Sequence, residues 1–315
     1  MATTLIAIIK SVRPRQWLKN LTLFAGIIFS HRLFYPNDFY TVCLAVLFFS
    51  LATSAIYLFN DIIDAPHDRL HPFKKKRPIA SGELPIPLAA TIATTLLILS
   101  LSASFILSQR FFLAVIAYLI LQTLYMSYLK HVIILDVLTI ASGFLLRIYA
   151  GVWVIGTHVS IWFLLFMVSS ALFLAVGKRR AEATLLSGYN NAQDIKKVRP
   201  TLGHYPESLL HSYTTMFATA TWLTYALFAF NQPAITPNTF FQPLFYNLTP
   251  RVTDVKWLMV TIPFVIFGVM RYLYLIFERK EGESPERVLL SDMPLLSCVV
   301  IWGFLVIGVL YVVSG

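Results

Sequence analysis

Nine stretches of mainly apolar residues, centred near positions 25, 49, 98, 119, 142, 168, 219, 265 and 304, follow one another with little chain between them. A bilayer core takes about 20 such residues per helical crossing. Hydrocarbon offers no water to backbone N–H and C=O groups, so only helices or closed barrels span it, and stretches of this length select helices. Composition agrees, with 57% hydrophobic and 13% charged residues over 315 positions and a mean hydropathy of +0.72, outside the range of soluble domains. The expected fold is an all-α, polytopic membrane protein, read as one integral-membrane domain over residues 1–315. The opening MATTLIAIIK lacks a basic n-region and a small-residue cleavage site, so it reads as a surface-lying segment rather than a removable signal peptide. Cys43 and Cys298 fall inside apolar stretches without metal-ligand spacing, which argues against a disulfide framework or a zinc site.

Basic residues orient such a chain, because cytoplasmic loops carry an excess of Lys and Arg. With the N-terminus inside, the loops near residues 60–87, 129–131, 178–208 and 277–294 are inside as well. Together with the N-terminal segment, and with Arg271 just before the last loop, these hold all of the 25 Lys and Arg residues except Arg32, Arg110, Arg251 and Lys256, which fall outside, and Arg147, which lies within a span. The predicted topology is N-terminus in and C-terminus out, in a bacterial inner membrane. The formal charge of +10 then gathers on one face, where it meets anionic headgroups or phosphorylated substrates. There is no separate basic domain for nucleic acid.

The second apolar stretch passes abruptly into NDIIDAPHDRLHPFKKKRPIASG, residues 60–82. Asp61, Asp64 and Asp68 have i, i+3, i+7 spacing, so on a helix continuing out of the span their carboxylates share a face. Pro66 is placed to bend or end that helix. Three carboxylates with no histidine pair suit a hard cation, and Mg²⁺ uses one or two carboxylates, several waters and substrate phosphate oxygens. The partner expected from this chemistry is a diphosphate. Asn60 lies at the same rim, and Lys74 and Arg77 supply cations for the oxygens that a metal leaves uncovered. The plain alternative is a solvated loop whose lysines only set topology; His67 and His71 read as surface residues.

Two further groups carry charge near or within spans. After the sixth stretch, Lys178 and Glu182 are i, i+4 with Arg179 beside them, and are expected to form a second half of the site; an ordinary helical ion pair is the alternative. Asp194, Lys196, Lys197 and Arg199 continue that polar loop. The fifth stretch begins after Lys130 and contains Asp136 and Arg147. A charge at a helix centre costs about 2.5–3.5 kcal/mol, so both should face a polar cavity, or pair ionically with other spans. They are close to three turns apart, on one face but out of each other's reach. Before the first stretch, SVRPRQWLKN presents Arg13, Lys19 and Asn20 as candidate binding residues, with Trp17 read as an interfacial belt residue.

The pattern NDxxDxxxD followed by HPxKxxRPIASG resembles the UbiA superfamily of intramembrane prenyltransferases. That resemblance implies nine transmembrane helices around a laterally open cavity, with Mg²⁺-bound diphosphate held beneath cytoplasmic cap loops. RPRQWLKN at 13–20, GKRRAE at 177–182 and ESPERVLLSD at 283–292 are similar to the branch of decaprenyl-phosphate phosphoribosyltransferases. Members of that branch join the ribose of phosphoribosyl diphosphate to a polyprenyl phosphate and release pyrophosphate. Aromatic prenyltransferases usually carry a second Asp-rich motif after span six, whereas this chain has Lys178, Arg179 and Glu182. A cationic second half fits substrates bearing more phosphate, since each phosphate monoester carries about −1.5 to −2 at neutral pH.

On this expectation Asp61, Asp64 and Asp68 hold Mg²⁺ and are the catalytic set. Asn60, Lys74, Arg77, Lys130, Arg147, Lys178, Arg179, Glu182, Arg13, Lys19 and Asn20 contact substrate. The partners are phosphoribosyl diphosphate, a polyprenyl phosphate and bilayer lipids, and a homo-oligomer is left open. Two other readings stand beside it. One is transfer of a polyprenyl group from its diphosphate to an aromatic acceptor. The other is a membrane transporter, against which stand the absence of any repeat in hydropathy and the placement of charge at the rim rather than the midplane.

Overall fold

The computed structural model of the chain describes residues 2–69, 74–186, 205–233, 256–279 and 285–313. Asp194, Lys196, Lys197, Arg199 and His71 lie outside them. Every regular element among the described residues is helical. In chain order these are α1 (Ala2–Val12), α2 (Phe24–Phe29), α3 (Pro36–Asp68), α4 (Pro78–Ser81), α5 (Ile86–Leu107), α6 (Gln109–Ser127), α7 (Leu135–Val154), α8 (Ile161–Leu186), α9 (Glu207–Asn231), α10 (Ile262–Phe277), α11 (Pro285–Ser291) and α12 (Met293–Ile307). Short 3₁₀ segments cover Pro14–Leu23, Lys74–Lys76, Leu129–His131 and Trp257–Thr261, and a π-helical turn covers Gly308–Val313.

Seven helices among the described residues are long and apolar enough to cross a membrane, and they match seven of the nine expected stretches. The other two differ for local reasons. Near residue 25 the chain has only the six-residue α2, because Arg13 takes a left-handed φ of 55° and Pro14 opens a ten-residue 3₁₀ segment instead of an α-helix. Near residue 219, α9 has 25 residues, but Thr214, Thr215, Thr219, Thr221 and Thr224 dilute its apolar character. Pro66 does not stop α3 at once; the helix runs on to Asp68, two residues beyond.

The chain divides into two compact units. The first comprises residues 1–129 and 146–158, the second residues 130–145 and 159–315, so α7 contributes to both. In the first unit α3 is the central element and packs on α5, α6, α4, α1 and the first 3₁₀ segment. Its core holds Leu23, Ile27, Val42, Phe49, Phe111 and Tyr118, joined by Ala150 from the end of α7. Gly151 is required there, since a Cβ would fall onto the Leu23 carbonyl. In the second unit α8 packs on α9, and α9 and α12 pack on α10. Asp292 caps α12 by accepting from the Leu295 N–H at 2.9 Å, and it pairs with Arg271 at 2.8 Å.

Candidate functional site

The first unit gathers charge at the end of α3. Asp61 and Asp68 are each 3% exposed, and Arg77 places one nitrogen, Nη1, between them, 3.0 Å from Asp61 Oδ1 and 2.7 Å from Asp68 Oδ2. Lys74 Nζ stands 4.0 Å from the other oxygen of Asp68. Arg13 Nη2 donates to both oxygens of Asp61, at 2.6 and 2.8 Å, while its guanidinium lies over the Tyr57 ring. Asp64 is half-buried and its carboxylate has no hydrogen bond or ion pair with a described residue; the same holds for the Asn60 side chain. Among the described residues no three His, Cys, Asp or Glu side chains form a group that could by itself hold a metal ion. The three aspartates share a helix, and two of them are held together by arginine.

Arg77 owes its position to the sequence that follows. Pro78 starts α4 with the φ a helix needs, and Gly82 ends it with φ 85°, a left-handed conformation that glycine adopts without strain. Ile79, Ala80 and Leu84 are buried, and Ile79 and Leu84 pack with Ala7, Leu58, Ala65, Ala89 and Ala93. The apolar half of RPIASG is therefore an anchor that fixes the arginine at its start.

Arg13 is positioned by a run of side-chain contacts antiparallel to α3. Trp17 Nε1 donates to Ser54 Oγ at 3.0 Å, and Asn20 Nδ2 donates to Ser50 Oγ at 2.9 Å, so residues 13, 17 and 20 meet 61, 54 and 50 in turn. Trp17, expected as an interfacial residue, is thus half-buried and bonded. Lys19 donates to Gln16 at 2.6 Å. Arg147 closes the run: its Nε donates to Asn20 Oδ1 at 2.9 Å, its Nη2 to Tyr118 Oη at 2.8 Å, and it stacks over the Tyr118 ring at 4.7 Å. Arg147 is 5% exposed, and these bonds make it a structural partner of the N-terminal segment.

The second unit holds the other group. Asp136 and Arg179 are fully buried, with Arg179 Nε donating to Asp136 Oδ2 at 2.7 Å and Nη1 to Glu182 Oε2 at 2.7 Å. The expected Lys178–Glu182 pair is looser, at 4.0 Å. Tyr205 Oη donates to Asp136 Oδ1 at 2.9 Å and accepts from the Ile134 N–H at 2.6 Å. Burial is the main cause that pushes the Tyr205 phenol up to about 12, with the Ile134 bond lowering it and the neighbouring Asp136 carboxylate raising it. Ile134 has φ 70°, a strained value for a β-branched residue. Lys130 is half-buried with no hydrogen bond or ion pair to a described residue. An apolar cavity of about 210 Å³, lined by Ile134, Val137, Leu172, Tyr205 and Phe217 among others, lies beside this group.

Sequence reasoning missed Tyr205, Tyr118, Tyr57 and the hydroxyls of α3. Ser50, Thr53 and Ser54 do carry a signal, being polar residues at i, i+3, i+4 spacing inside an apolar span; the tyrosines carry none.

Residues 20–289 match the UbiA prenyltransferase family. The chain belongs to that family. Among curated UbiA relatives, decaprenyl-phosphate phosphoribosyltransferase of Corynebacterium glutamicum is 34% identical over 96% of this chain and 86% of its own length. The proteins of that name from Mycolicibacterium smegmatis and Mycobacterium tuberculosis are 36% and 33% identical, covering 94% and 96% of this chain and 89% and 93% of theirs. Among solved structures, a UbiA homologue from Archaeoglobus fulgidus bound to GPP and Mg²⁺ shares the fold, with a TM-score of 0.67 at 20% identity over 96% of this chain and 99% of that one. The UbiA assignment and the seven apolar helices make this a multi-pass membrane protein.

Proposed function

We propose that the chain transfers the phosphoribosyl group of phosphoribosyl diphosphate to a polyprenyl phosphate, releasing pyrophosphate in a Mg²⁺-dependent reaction. The observation that carries this reading is the convergence of Arg13 and Arg77 on Asp61 and Asp68, a cluster with both the carboxylates a cation needs and the guanidinium groups a diphosphate needs. Similarity over nearly the whole chain to three proteins named for this reaction supports the donor and acceptor. The reading takes residues 1–315 as one transferase domain, with the N-terminus and these clusters cytoplasmic by the positive-inside rule.

The donor set fits magnesium. It offers oxygen ligands only, and Mg²⁺ completes its shell with water and substrate phosphate, so a three-carboxylate cage is not needed. Asp61, Asp64 and Asp68 would hold the ion, and Arg77 Nη1 now lies between the carboxylates of Asp61 and Asp68. Asp64, without a described partner, is the carboxylate available at once, with Asp61 and Asp68 freed as Arg13 and Arg77 turn to the diphosphate. Bound there, the metal supplies Lewis-acid neutralisation of the leaving group.

Arg13, Lys74 and Arg77 bind the diphosphate oxygens and hold them as charge builds. The bond from the anomeric carbon to the diphosphate breaks with its electron pair leaving on the diphosphate, and a lipid phosphate oxygen forms the new bond. An oxocarbenium-like transition state accompanies this step, as in glycoside hydrolysis. The nucleophile is already an anion and needs no general base. Lys130 and Lys178 are assigned phosphate contacts, Glu182 a ribose hydroxyl, and Asn60 a place beside the metal ligands. Arg147, Arg179, Asn20 and Lys19 act by positioning.

The test incubates the purified chain with labelled phosphoribosyl diphosphate, polyprenyl phosphate and Mg²⁺. Labelled lipid and pyrophosphate should appear together, and Asp64→Asn should lower the rate by about a hundredfold or more, the scale of a lost electrostatic contact at a transition state. An unchanged rate in the variant removes the metal assignment. Product formed only from labelled polyprenyl diphosphate and an aromatic acceptor replaces the reaction.

A further inference from the structure

Arg180 follows Arg179 on α8 but faces another way. Arg179 is turned to Asp136, whereas the guanidinium carbon of Arg180 lies over Phe277 of α10, 3.7 Å from the ring centroid. Arg180 is 9% exposed, and among the described residues its Nε and Nη1 have no hydrogen-bond partner. Among the described residues Arg180 pairs with the carboxylate of Glu207 at the start of α9, 3.7 Å from Nη2 and 83% exposed. A guanidinium does not shed its proton inside a protein. Arg180 is therefore a buried cation with unpaired donors, a costly arrangement that a folded chain keeps where an anion completes it.

The surroundings are built to hold the group in place. One turn earlier, Gly177 lets α8 close on Tyr272 and Ile276 of α10, and the same face then delivers Arg180 to Phe277. His211 of α9 meets the edge of that ring, 5.2 Å between centroids, and is exposed. The Arg180 guanidinium over the Phe277 ring and the exposed His211 imidazole against the same ring bring two nitrogen-bearing groups together.

We propose that Arg180, with His211 beside it, binds a phosphoryl group. Forked donors match phosphate oxygens, and a dianion offsets a buried arginine better than a single carboxylate does. Two sources share this chemistry, a soluble phosphoester and the phosphate of a lipid. The site does not depend on the proposed reaction, because its readout is binding without turnover.

The full chain in phosphatidylcholine nanodiscs is titrated with ribose 5-phosphate in one arm, and in the other the discs are doped with phosphatidic acid; ³¹P NMR follows both. Saturable binding is expected in one arm, and the arm that responds identifies the source. Arg180→Met should weaken it by about tenfold to a hundredfold, the scale of a lost hydrogen bond to a charged group. Glu207→Gln, on the surface, should tighten it by about twofold to fivefold by removing a nearby negative charge. Without phosphate, Arg180→Met should melt no lower than the parent, since it removes a charge that has no strong partner. The proposal is overturned if neither probe binds the parent saturably, if Arg180→Met binds as well as the parent, or if that variant melts well below it in phosphate-free buffer.

Discussion

One nitrogen of Arg77 serves two carboxylates, so lysine in its place is not a conservative change. Arg77→Lys should raise KM for the diphosphate substrate by about tenfold or more, the value of a charge-assisted bond, while leaving thermal stability nearly unchanged. Steady-state kinetics with a melting curve check it. Tyr205 gives the opposite pattern. Tyr205→Phe leaves Asp136 with Arg179 alone and orphans the Ile134 N–H, and should cost about 1.5–3 kcal/mol in denaturant unfolding. The pH dependence follows from its phenol, which titrates near 10 unfolded and near 12 in place. Its contribution is complete below about 10 and is lost as pH rises from there through 12; the parent should therefore lose more stability than Tyr205→Phe over that window. The aspartates were legible because period and residue type coincide at 61, 64 and 68. Arg147 was legible as a charge too costly to leave unpaired, but its partners Asn20 and Tyr118 lie far away in the chain, and nothing local announces such a pairing.

At the scale of the elements, the long apolar helices were legible from length alone, while the departures trace to single residues. Arg13 and Pro14 turn the first stretch into a 3₁₀ segment, and the hydrogen bonds of Trp17 and Asn20 to α3 hold it there. Gly82 is the residue that lets α4 end where it does; Gly82→Ala should cost about 1 kcal/mol of stability, and it should also raise KM for the diphosphate by loosening Arg77. Asp292 caps α12, and its pairing with Arg271 holds its carboxyl below the usual range. Asp292→Ala should therefore cost about 1 kcal/mol. The stability that Asp292 supplies is present above its ordinary value near 3.8 and is lost as pH falls through the depressed one. An acid titration followed by circular dichroism should show the parent and the variant converging at low pH.

For the whole molecule, membrane class, family and the acidic rim could be read from sequence, whereas the division into two units could not, because it cuts through α7. The first unit takes Arg147 from beyond its own contiguous segment, and that residue saturates Asn20 and Tyr118. Arg147→Met should leave the Asn20 carbonyl oxygen without its donor, at about 1–3 kcal/mol. It should also quicken trypsin cleavage after Arg15 or Lys19, visible by mass spectrometry against an intact parent. The same arrangement sets a schedule for biogenesis. Arg13, Asp61, Asp68 and Arg77 leave the ribosome early, yet the Arg147 guanidinium that closes the run at Asn20 is translated long afterwards, so the nascent chain holds the N-terminal strap by its bonds to α3 alone until α7 has been made.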